Sequence, residues 1–485
     1  MKRREFILTG TGAAIAGAWS FSVFPQVAHD RDVSYEPNRP IESTGLSIRD
    51  GCRILKKGEK KNTAPVLREE ILDNPDAVFI IRADINAERD EKGNWKPCSD
   101  QIERFGRRVS GLVFRKGTVS GGRTFINPNL VGGLSKSNPV GNSFSGIVHP
   151  YFIVGMTDEL HGMGNTNVAI GARGALRHNQ VVESGFQELL DAHSLPLIEA
   201  HVQYFEHYRK DDLVWHDSPE GLVQRRFCTY KPVYLDGTTF INIAHAHDHK
   251  VGHTTLSLKN IQGVMPRGYG HICDAWTTLD IWRRPLMHDF NSGFHCAIEN
   301  SYIVHANMGY KYWDDGGFYK TYRAACGYNA FREARKTYEN APGDKREEAL
   351  NHLMDVADTR LFWAEIWAQR MMDIVEALPA PYVSMVEGIF ARGCNQVVNA
   401  NFVTVGRSMT AVDSVTSWLM GHDPRELPYL RIANERGLGE NDIEKIPLYT
   451  LDEKGVEKVR DYRFLQRHHL GIYNYGLSEL GPRFF

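Results

Sequence analysis

Short apolar runs and amphipathic stretches alternate along most of this chain. The runs AVFIIRAD and TFINIAHAH are typical of buried strands, whereas FIVGMTDELHGM repeats its apolar residues with helical spacing. Alternation of this kind predicts an α/β fold with mainly parallel sheets and helices on their faces. The predicted strands are residues 77–84, 123–131, 167–174, 196–203, 239–247, 382–390 and 401–407, and the predicted helices begin at 150, 181, 271 and 410.

One long region breaks this alternation. Residues 318–378 are rich in Ala, Arg, Glu and aromatic residues, which predicts two or three helices packed on or inserted into the α/β core. The pattern therefore divides into an N-terminal α/β domain (66–235) and a C-terminal α/β domain with a helical insertion (236–450). A polar, Pro-rich linker or arm (29–65) precedes them, and a basic, aromatic tail (451–485) follows.

The first 28 residues have the features of an export signal. Lys2, Arg3 and Arg4 precede a moderately apolar run, and a cut after Ala28 is weakly marked. The adjacent arginines resemble a twin-arginine signal, which would make the twin-arginine translocase a partner and the periplasm or cell envelope the destination. An uncleaved membrane anchor is the alternative, although Gly and Thr residues make this run a poor spanning helix. That export route carries folded proteins, often with a cofactor in place.

Composition narrows the class of protein further. The hydrophobic fraction is 42%, the charged fraction is 24% and the formal net charge is −2, as in an ordinary globular protein with no nucleic-acid signal. No two cysteines are two or three residues apart, which argues against a local iron–sulfur motif, and no disulfide pairing can be deduced. The seven cysteines are Cys52, Cys98, Cys228, Cys273, Cys296, Cys326 and Cys394.

Histidines concentrate at the end of one predicted strand. His245, His247 and His249 would lie on one face if the strand continues through them, and imidazoles spaced in this way can chelate a transition metal. The alternative is a solvated strand end with unrelated histidines. Asp248 alternates to the other face, where it is either a partner for these residues or a surface charge.

A lysine and an aspartate add to this region. Lys259 lies beside an apolar run, where a lysine can bind an anion or act as a base, although a surface lysine at a helix start is the alternative. Asp413 interrupts an apolar helix and is expensive to bury without a partner. It either faces the site or complements the dipole of its own helix.

Ordered blocks over residues 120–450 resemble the family called domain of unknown function 362. In the first block Asn127 replaces the lysine that the family usually has, and in the fourth Glu387 replaces its aspartate. Many relatives carry ferredoxin-type cysteine motifs, which this chain lacks. The matching positions are residues 125–131, His149-Pro150, His249, Thr254, Lys259, Asn260, Gly263, Pro266, His271, residues 382–393, residues 405–424, Ala433 and residues 437–439.

A more remote resemblance suggests a chemistry. The order of His149, His249, Lys259 and His271 is similar to that in the lactate racemase family, which holds a nickel-pincer nucleotide on a lysine. The resemblance implies that Lys259 contacts the cofactor, that His271 binds the metal, and that His149 and His249 exchange protons with a hydroxy acid. A simpler alternative is that Lys259 and Asn260 bind a carboxylate or phosphate.

These observations give a set of candidate residues and three candidate functions. The candidate catalytic residues are His149, His249 and Lys259; the candidate cofactor contacts are Asn129, Lys259, Asn260 and Asp413; and the candidate metal ligands are His247, His249 and His271. The first function is an exported enzyme that transfers a proton or hydride on a hydroxy acid or sugar derivative. The second is a metal- or cofactor-binding protein, and the third is a subunit of a cell-envelope complex with a redox or envelope partner.

Overall fold

A computed structural model describes most of the chain between residues 63 and 471. The described residues are 63–120, 123–130, 134–142, 144, 146–173, 178–200, 213–217, 226–230, 238–249, 252–264, 328–393 and 396–471. The predicted export signal, the predicted helix at 271–284 and His271 lie outside them. All the described residues belong to one compact unit, Glu36–Phe485.

The structure describes fourteen strands, and seven of them follow the apolar runs of the sequence. They are β1 (Thr63–Leu67), β2 (Val78–Arg82), β3 (Phe114–Ser120), β4 (Arg123–Pro128), β5 (Val168–Arg173), β6 (Leu197–Ala200), β7 (Leu213–Asp217), β8 (Arg226–Tyr230), β9 (Thr238–His249), β10 (His253–Thr255), β11 (Val383–Gly393), β12 (Gln396–Gly406), β13 (Leu448–Asp452) and β14 (Gly455–Lys458).

The helices fill the connections between these strands. They are α1 (Glu69–Leu72), α2 (Ser99–Val113), α3 (Pro150–Gly162), α4 (His178–Glu183), α5 (Phe186–Ala192), α6 (Ser257–Asn260), α7 (Tyr328–Asn340), α8 (Arg346–Ala377), α9 (Met409–Leu419) and α10 (Pro428–Glu435). Helices α7 and α8 form the described part of the predicted helical insertion. Among the described residues, no helix combines the length and apolar character that a bilayer crossing requires.

Ten of the described strands form one central sheet, which confirms the predicted α/β fold. Its order is β14-β13-β2-β12-β11-β9-β4-β5-β6, and β10 pairs with β9. The block β11-β9-β4-β5-β6 is parallel, whereas β12 is antiparallel to both of its neighbours, β11 and β2. The sheet takes strands from both predicted domains, 66–235 and 236–450, so no sheet boundary separates them.

Apolar side chains cover both faces of the sheet, because a central parallel sheet buries both. One core cluster joins it to α2, α3 and α5, and the other joins it to α9. Helices α2 and α3 cross very closely: an added Cβ on Gly155 would lie 2.1 Å from the Glu103 carbonyl oxygen. Helix α2 was not predicted, although Ile102, Phe105 and Val109 follow a helical spacing.

The structure differs from the sequence predictions at both ends of the described region. Strand β1 begins within the predicted linker, and it pairs with β3. Strand β14 lies within the predicted tail, and it pairs with β13 at the edge of the central sheet. Both segments form strands because they pair with strands β3 and β13, and the polarity of a segment alone does not predict such pairing.

Candidate functional site

The carboxyl ends of β4 and β9 lie side by side at the centre of the parallel block, and we call the region outside them the crevice. The chain leaves β4 through α3, which packs on one face of the sheet, and it leaves β9 through Leu256 and α6, which lie on the other face. Adjacent parallel strands whose connections depart to opposite faces form a topological switch point. Ligands bind at such points in open α/β sheets.

The loop from β4 to α3 is fixed to β9 by backbone hydrogen bonds. The Asn129 N–H donates to the Ile243 carbonyl at 2.9 Å, and the Val148 N–H donates to the Asn129 carbonyl at 2.8 Å. His149 then caps α3, with its Nδ1 accepting from the Tyr151 N–H at 3.3 Å and Pro150 following in the first turn. The structure therefore places His149 beside the carboxyl end of β9, in the crevice.

His149 is buried and neutral. Its side chain is 2% exposed, and burial lowers its pKa to about 3. Because Nδ1 accepts a hydrogen bond, the proton of the neutral ring must be on Nε2. That Nε2–H has no hydrogen-bond partner among the described residues. A buried donor without a partner is costly and calls for an explanation, such as a bound ligand or water.

Glu387 supports His149 from the neighbouring strand β11. One of its carboxylate oxygens accepts from the His149 N–H at 3.2 Å, and the other accepts from the Ile389 N–H at 2.6 Å. Burial raises the pKa of Glu387 to about 7, although these hydrogen bonds oppose the shift. In the sequence, Glu387 stood out only as part of a family block. The signal that could have found it was an acidic residue inside an apolar strand.

His245 and His247 lie next to Glu387 on β9, which continues as a strand through His249. Nε2 of His245 lies 2.9 Å from the Phe390 carbonyl oxygen, and Nδ1 of His247 lies 3.0 Å from the His245 carbonyl oxygen. A carbonyl oxygen only accepts, so these two nitrogens carry the protons. The Nδ1 of His245 and the Nε2 of His247 are therefore lone-pair acceptors.

Two cations surround this pair of histidines. Burial lowers the pKa of His247 well below its usual value, and His245, Arg392 and Lys259 lower it further. Burial also lowers the pKa of His245 to about 3, with Arg392 and His149 contributing in the same direction. The side chains of His149, Arg392 and Lys259 are thus each close enough to His245 or His247 to lower its pKa.

His249 lies at the end of β9, where the strand turns into β10. It is partly buried, and its Nδ1 accepts from the Gly252 N–H at 3.1 Å. By strand alternation it lies on the same face as His245 and His247. Its predicted partner His271 is outside the described residues, so the set His247, His249 and His271 stays a prediction.

Within the described part of the chain, one group of three side chains has donor atoms close enough to share a metal. It consists of Glu103, Asp158 and His193, on or beside α2, α3 and α5. Arg107 already bonds both carboxylates of this group. Its ion pairs therefore account for the cluster without a metal.

Helix α6 carries Lys259 and is fastened to the crevice by Asn260. The Asn260 Nδ2 lies within hydrogen-bond distance of three oxygens: the Asn242 side-chain oxygen at 2.8 Å, the Asn127 carbonyl at 2.9 Å and the Ile243 carbonyl at 3.0 Å. Asn127 completes this amide network through its own Nδ2, which donates to the Asn260 carbonyl at 2.9 Å. Asn260 therefore has a structural role that sets the position of Lys259.

Asp413 holds the other end of the same helix. Its carboxylate accepts from the N–H groups of Ser257 at 2.7 Å and Leu258 at 2.9 Å, and from the Ser257 hydroxyl. It is fully buried, which raises its pKa to about 7. The sequence left open whether Asp413 faces the site or complements its own helix. The structure shows that it instead caps the N-terminus of α6, another helix.

Comparison with known proteins gives this fold and site a family. The family model described as domain of unknown function (DUF362) matches residues 125–417, which is more than half of the chain. The chain belongs to the domain of unknown function 362 family. Searches of curated proteins and of solved structures each found no match.

In this domain of unknown function 362 protein, the matched region runs from β4 to α9. It includes every candidate site residue named above, among them His149, Glu387 and Lys259. The crevice at the switch point is therefore a feature of the family region itself rather than of the flanking segments.

Proposed function

We propose that this protein is an exported enzyme that transfers a proton on a hydroxy acid or a sugar derivative. The observation that supports this proposal most directly is the buried Nε2–H of His149, which has no partner among the described residues. In the proposed reaction this N–H donates to a substrate oxygen. The lone pair on Nε2 of His247 accepts the proton that leaves carbon.

His149 and His247 are neutral imidazoles in opposite tautomers, which suits one as a hydrogen-bond donor and the other as a proton acceptor. A neutral imidazole N–H polarises a carbonyl or alkoxide oxygen, and an unprotonated ring nitrogen can accept a proton. A negatively charged substrate would offset the cations that lower the pKa of His247. Lys259 would stabilise the negative charge that develops on the substrate. His249, the base that the sequence predicts, lies two residues further along the same face of β9 and remains the alternative base.

Deuterium exchange tests the proposal across a panel of candidate substrates. The folded, full-length protein would be incubated in D₂O with lactate, glycerate and gluconate, and proton NMR would follow the C2 hydrogen. We expect exchange with at least one compound, and a loss of at least about 100-fold in His149→Asn and His247→Gln. The matched control is His193→Gln, in a histidine that pairs with Asp158 away from the crevice.

Two outcomes would contradict this mechanism. One is an exchange rate in His149→Asn equal to that of the unaltered protein, and the other is no exchange with any compound. Formation of a keto acid without exchange would instead identify hydride transfer to a redox cofactor, the other reaction that the sequence suggests.

A metal- or cofactor-binding protein is the second candidate function. Its support is the tautomer of His247, whose Nδ1–H is held by the His245 carbonyl so that Nε2 presents a lone pair. This is the usual preparation of a histidine ligand. With His249 and His271 it makes up the set of metal ligands that the sequence predicts, and a transition metal bound there would act as a Lewis acid.

Elemental analysis of the purified, folded protein tests the metal version. We expect about one equivalent of a transition metal, lost on replacing His247 or His271 by Gln and retained in His193→Gln. A metal content that stays the same in all of these variants would remove both histidines from the ligand set.

Export through the twin-arginine translocase is the last element of the proposal. Its support is the sequence of Lys2, Arg3 and Arg4 before an apolar run. Fractionation of cells that express the full chain should find it in the periplasm, and Arg3→Lys with Arg4→Lys should retain it inside. Equal export of the double variant would contradict this route.

A further inference from the structure

Arg392 lies at the carboxyl end of β11, directly beside the proposed base. Its Cα is paired with that of His247 in the parallel register between β11 and β9. The guanidinium Nε donates to Asp248 Oδ1 at 3.0 Å. The Asp248 side chain is 0% exposed and that of Arg392 is 32% exposed, so a buried carboxylate anchors a guanidinium that reaches the surface of the crevice.

The loop that carries His149 passes against the same guanidinium. Gly146 lies three residues before His149 and has a φ of +80°. A Cβ at this glycine would lie 3.1 Å from Nη1 of Arg392. The close approach and the positive φ both favour glycine here, and together they leave room for the guanidinium between the β4–α3 loop and β9.

The terminal nitrogens of this arginine have no hydrogen-bond partner in the part of the chain that the structure describes. Its bond to Asp248 uses Nε, which leaves the Nη1 and Nη2 donors for another group. A guanidinium fixed at one edge presents its remaining N–H donors in a planar arrangement that matches two oxygens of a carboxylate or phosphate. The neutral imidazoles beside it add no competing negative charge.

We propose that Arg392 forms an oxyanion subsite that binds the carboxylate or phosphate group of the substrate beside His247. Asp248 holds the guanidinium in place, and Gly146 provides the space for it. The subsite extends the proposed function and rests on it, because only the proposed reaction makes the bound oxyanion a substrate. A hydroxy acid or a sugar acid bound there would present its reacting carbon to the histidines. Binding of an oxyanion is a separate observable.

Titration calorimetry on the full-length protein tests the subsite without turnover. Lactate and gluconate probe the carboxylate source, glycerol phosphate and inorganic phosphate probe the phosphate source, and chloride at equal ionic strength is the reference. We expect one of the two probe classes to bind, and Arg392→Met to raise its Kd by at least about tenfold, as loss of a charge-assisted hydrogen bond does. Arg392→Lys should recover part of the affinity.

Removal of Arg392 leaves Asp248 buried without this partner, so the single variant can unfold for reasons unrelated to binding. Two further variants keep the test decisive. Arg392→Met with Asp248→Asn removes both charges, and Gly146→Ala keeps both but pushes against Nη1; each should weaken binding of the same probe. The matched control is Arg425→Gln, in a surface arginine that pairs with Asp423, and its Kd should not change.

Three results would overturn the subsite. They are no binding of any probe below about 10 mM, unchanged affinity in the folded double variant, and affinity no higher than for chloride, which would mean an adventitious ion only. The proposed reaction can fail independently. Oxyanion binding that depends on Arg392 but comes without deuterium exchange would keep the subsite and reject proton transfer.

Discussion

The two connections that line the crevice are built in opposite ways. The β4–α3 connection begins its helix with a local cap: His149 bonds the N–H of Tyr151, two residues away, and Pro150 follows it. The β9–α6 connection has no cap of its own. Asp413, 156 residues further along the chain, accepts the hydrogen bonds that start α6.

The two connections differ in whether the residue that caps the helix is also the candidate catalytic residue. In the first connection the capping residue is itself the candidate catalytic group, so its function and its structural role share one side chain. In the second, a remote carboxylate gives the support, and the candidate residue Lys259 is a different side chain. We therefore expect substitutions in the second connection to cost more stability, and substitutions in the first to cost more activity.

The largest expected effect is the loss of the remote cap. Asp413→Ala removes three hydrogen bonds and leaves the buried N–H groups of Ser257 and Leu258 without an acceptor, whereas the Ser257 hydroxyl keeps the Met409 carbonyl at 3.2 Å. We expect the free energy of unfolding in urea to fall by about 3 kcal/mol or more. The control is Asp423→Ala, which removes a half-buried cap from the short 3₁₀ helix Pro424–Glu426 and should cost less than about 2 kcal/mol. Equal losses would show that the remote cap has no special role.

A smaller effect should appear as a pH dependence at Glu387. Its pKa is raised to about 7, so the stability it contributes is complete below pH 4.5 and is lost as the pH rises through 7. The difference in unfolding free energy between the unaltered protein and Glu387→Gln should therefore be larger at pH 5 than at pH 8, by on the order of 2 kcal/mol.

The variant comparison is needed because other buried groups titrate in the opposite direction. His149 and His245 have lowered pKa values, so the stability that they contribute to the protein is lost as the pH falls below 6.5. The control is Glu453→Gln, at a surface carboxylate whose pKa is lowered to about 2 by Arg108. The difference in unfolding free energy between the unaltered protein and Glu453→Gln should not change between pH 5 and 8. If the difference for Glu387→Gln does not change either, the raised pKa of Glu387 is contradicted.

The smallest expected effect on stability is at His149. Asparagine is a good N-cap residue, so His149→Asn should keep the start of α3 and change the free energy of unfolding by less than about 1 kcal/mol. The same variant removes the Nε2–H donor, and the exchange reaction should be lost. A large loss of stability, measured by urea unfolding, would mean that His149 is mainly a structural residue and would erase the contrast between the two connections.

Much of the fold was predictable from local pattern. The apolar runs predicted β2, β4, β5, β6, β9, β11 and β12, and His149-Pro150 predicted the start of α3. The spacing of apolar residues and the capping residues at helix ends involve only a few neighbouring positions, so these signals can be found in the sequence directly. The helix Ser99–Val113 has such a signal as well, although it was not among the predicted helices.

The candidate site was only partly predictable, because several of its contacts join distant residues. His149 and the histidine strand were identified from residue type and spacing. The bonds from Glu387 to His149 and from Asp413 to Ser257 were not, because each links elements more than 150 residues apart. Arg392 was also missed, since one arginine at a strand end has no local signature.

The sequence by itself therefore determined most strands of the parallel block, the start of α3, and which residue types are available for chemistry. Tertiary structure alone decided which of them meet: the switch point between β4 and β9, the tautomer of His245 set by the Phe390 carbonyl, and the anchoring of Arg392 by Asp248. The physical reason is that secondary structure follows local backbone and side-chain preferences, whereas protonation state and charge environment depend on burial and on neighbours brought from far along the chain.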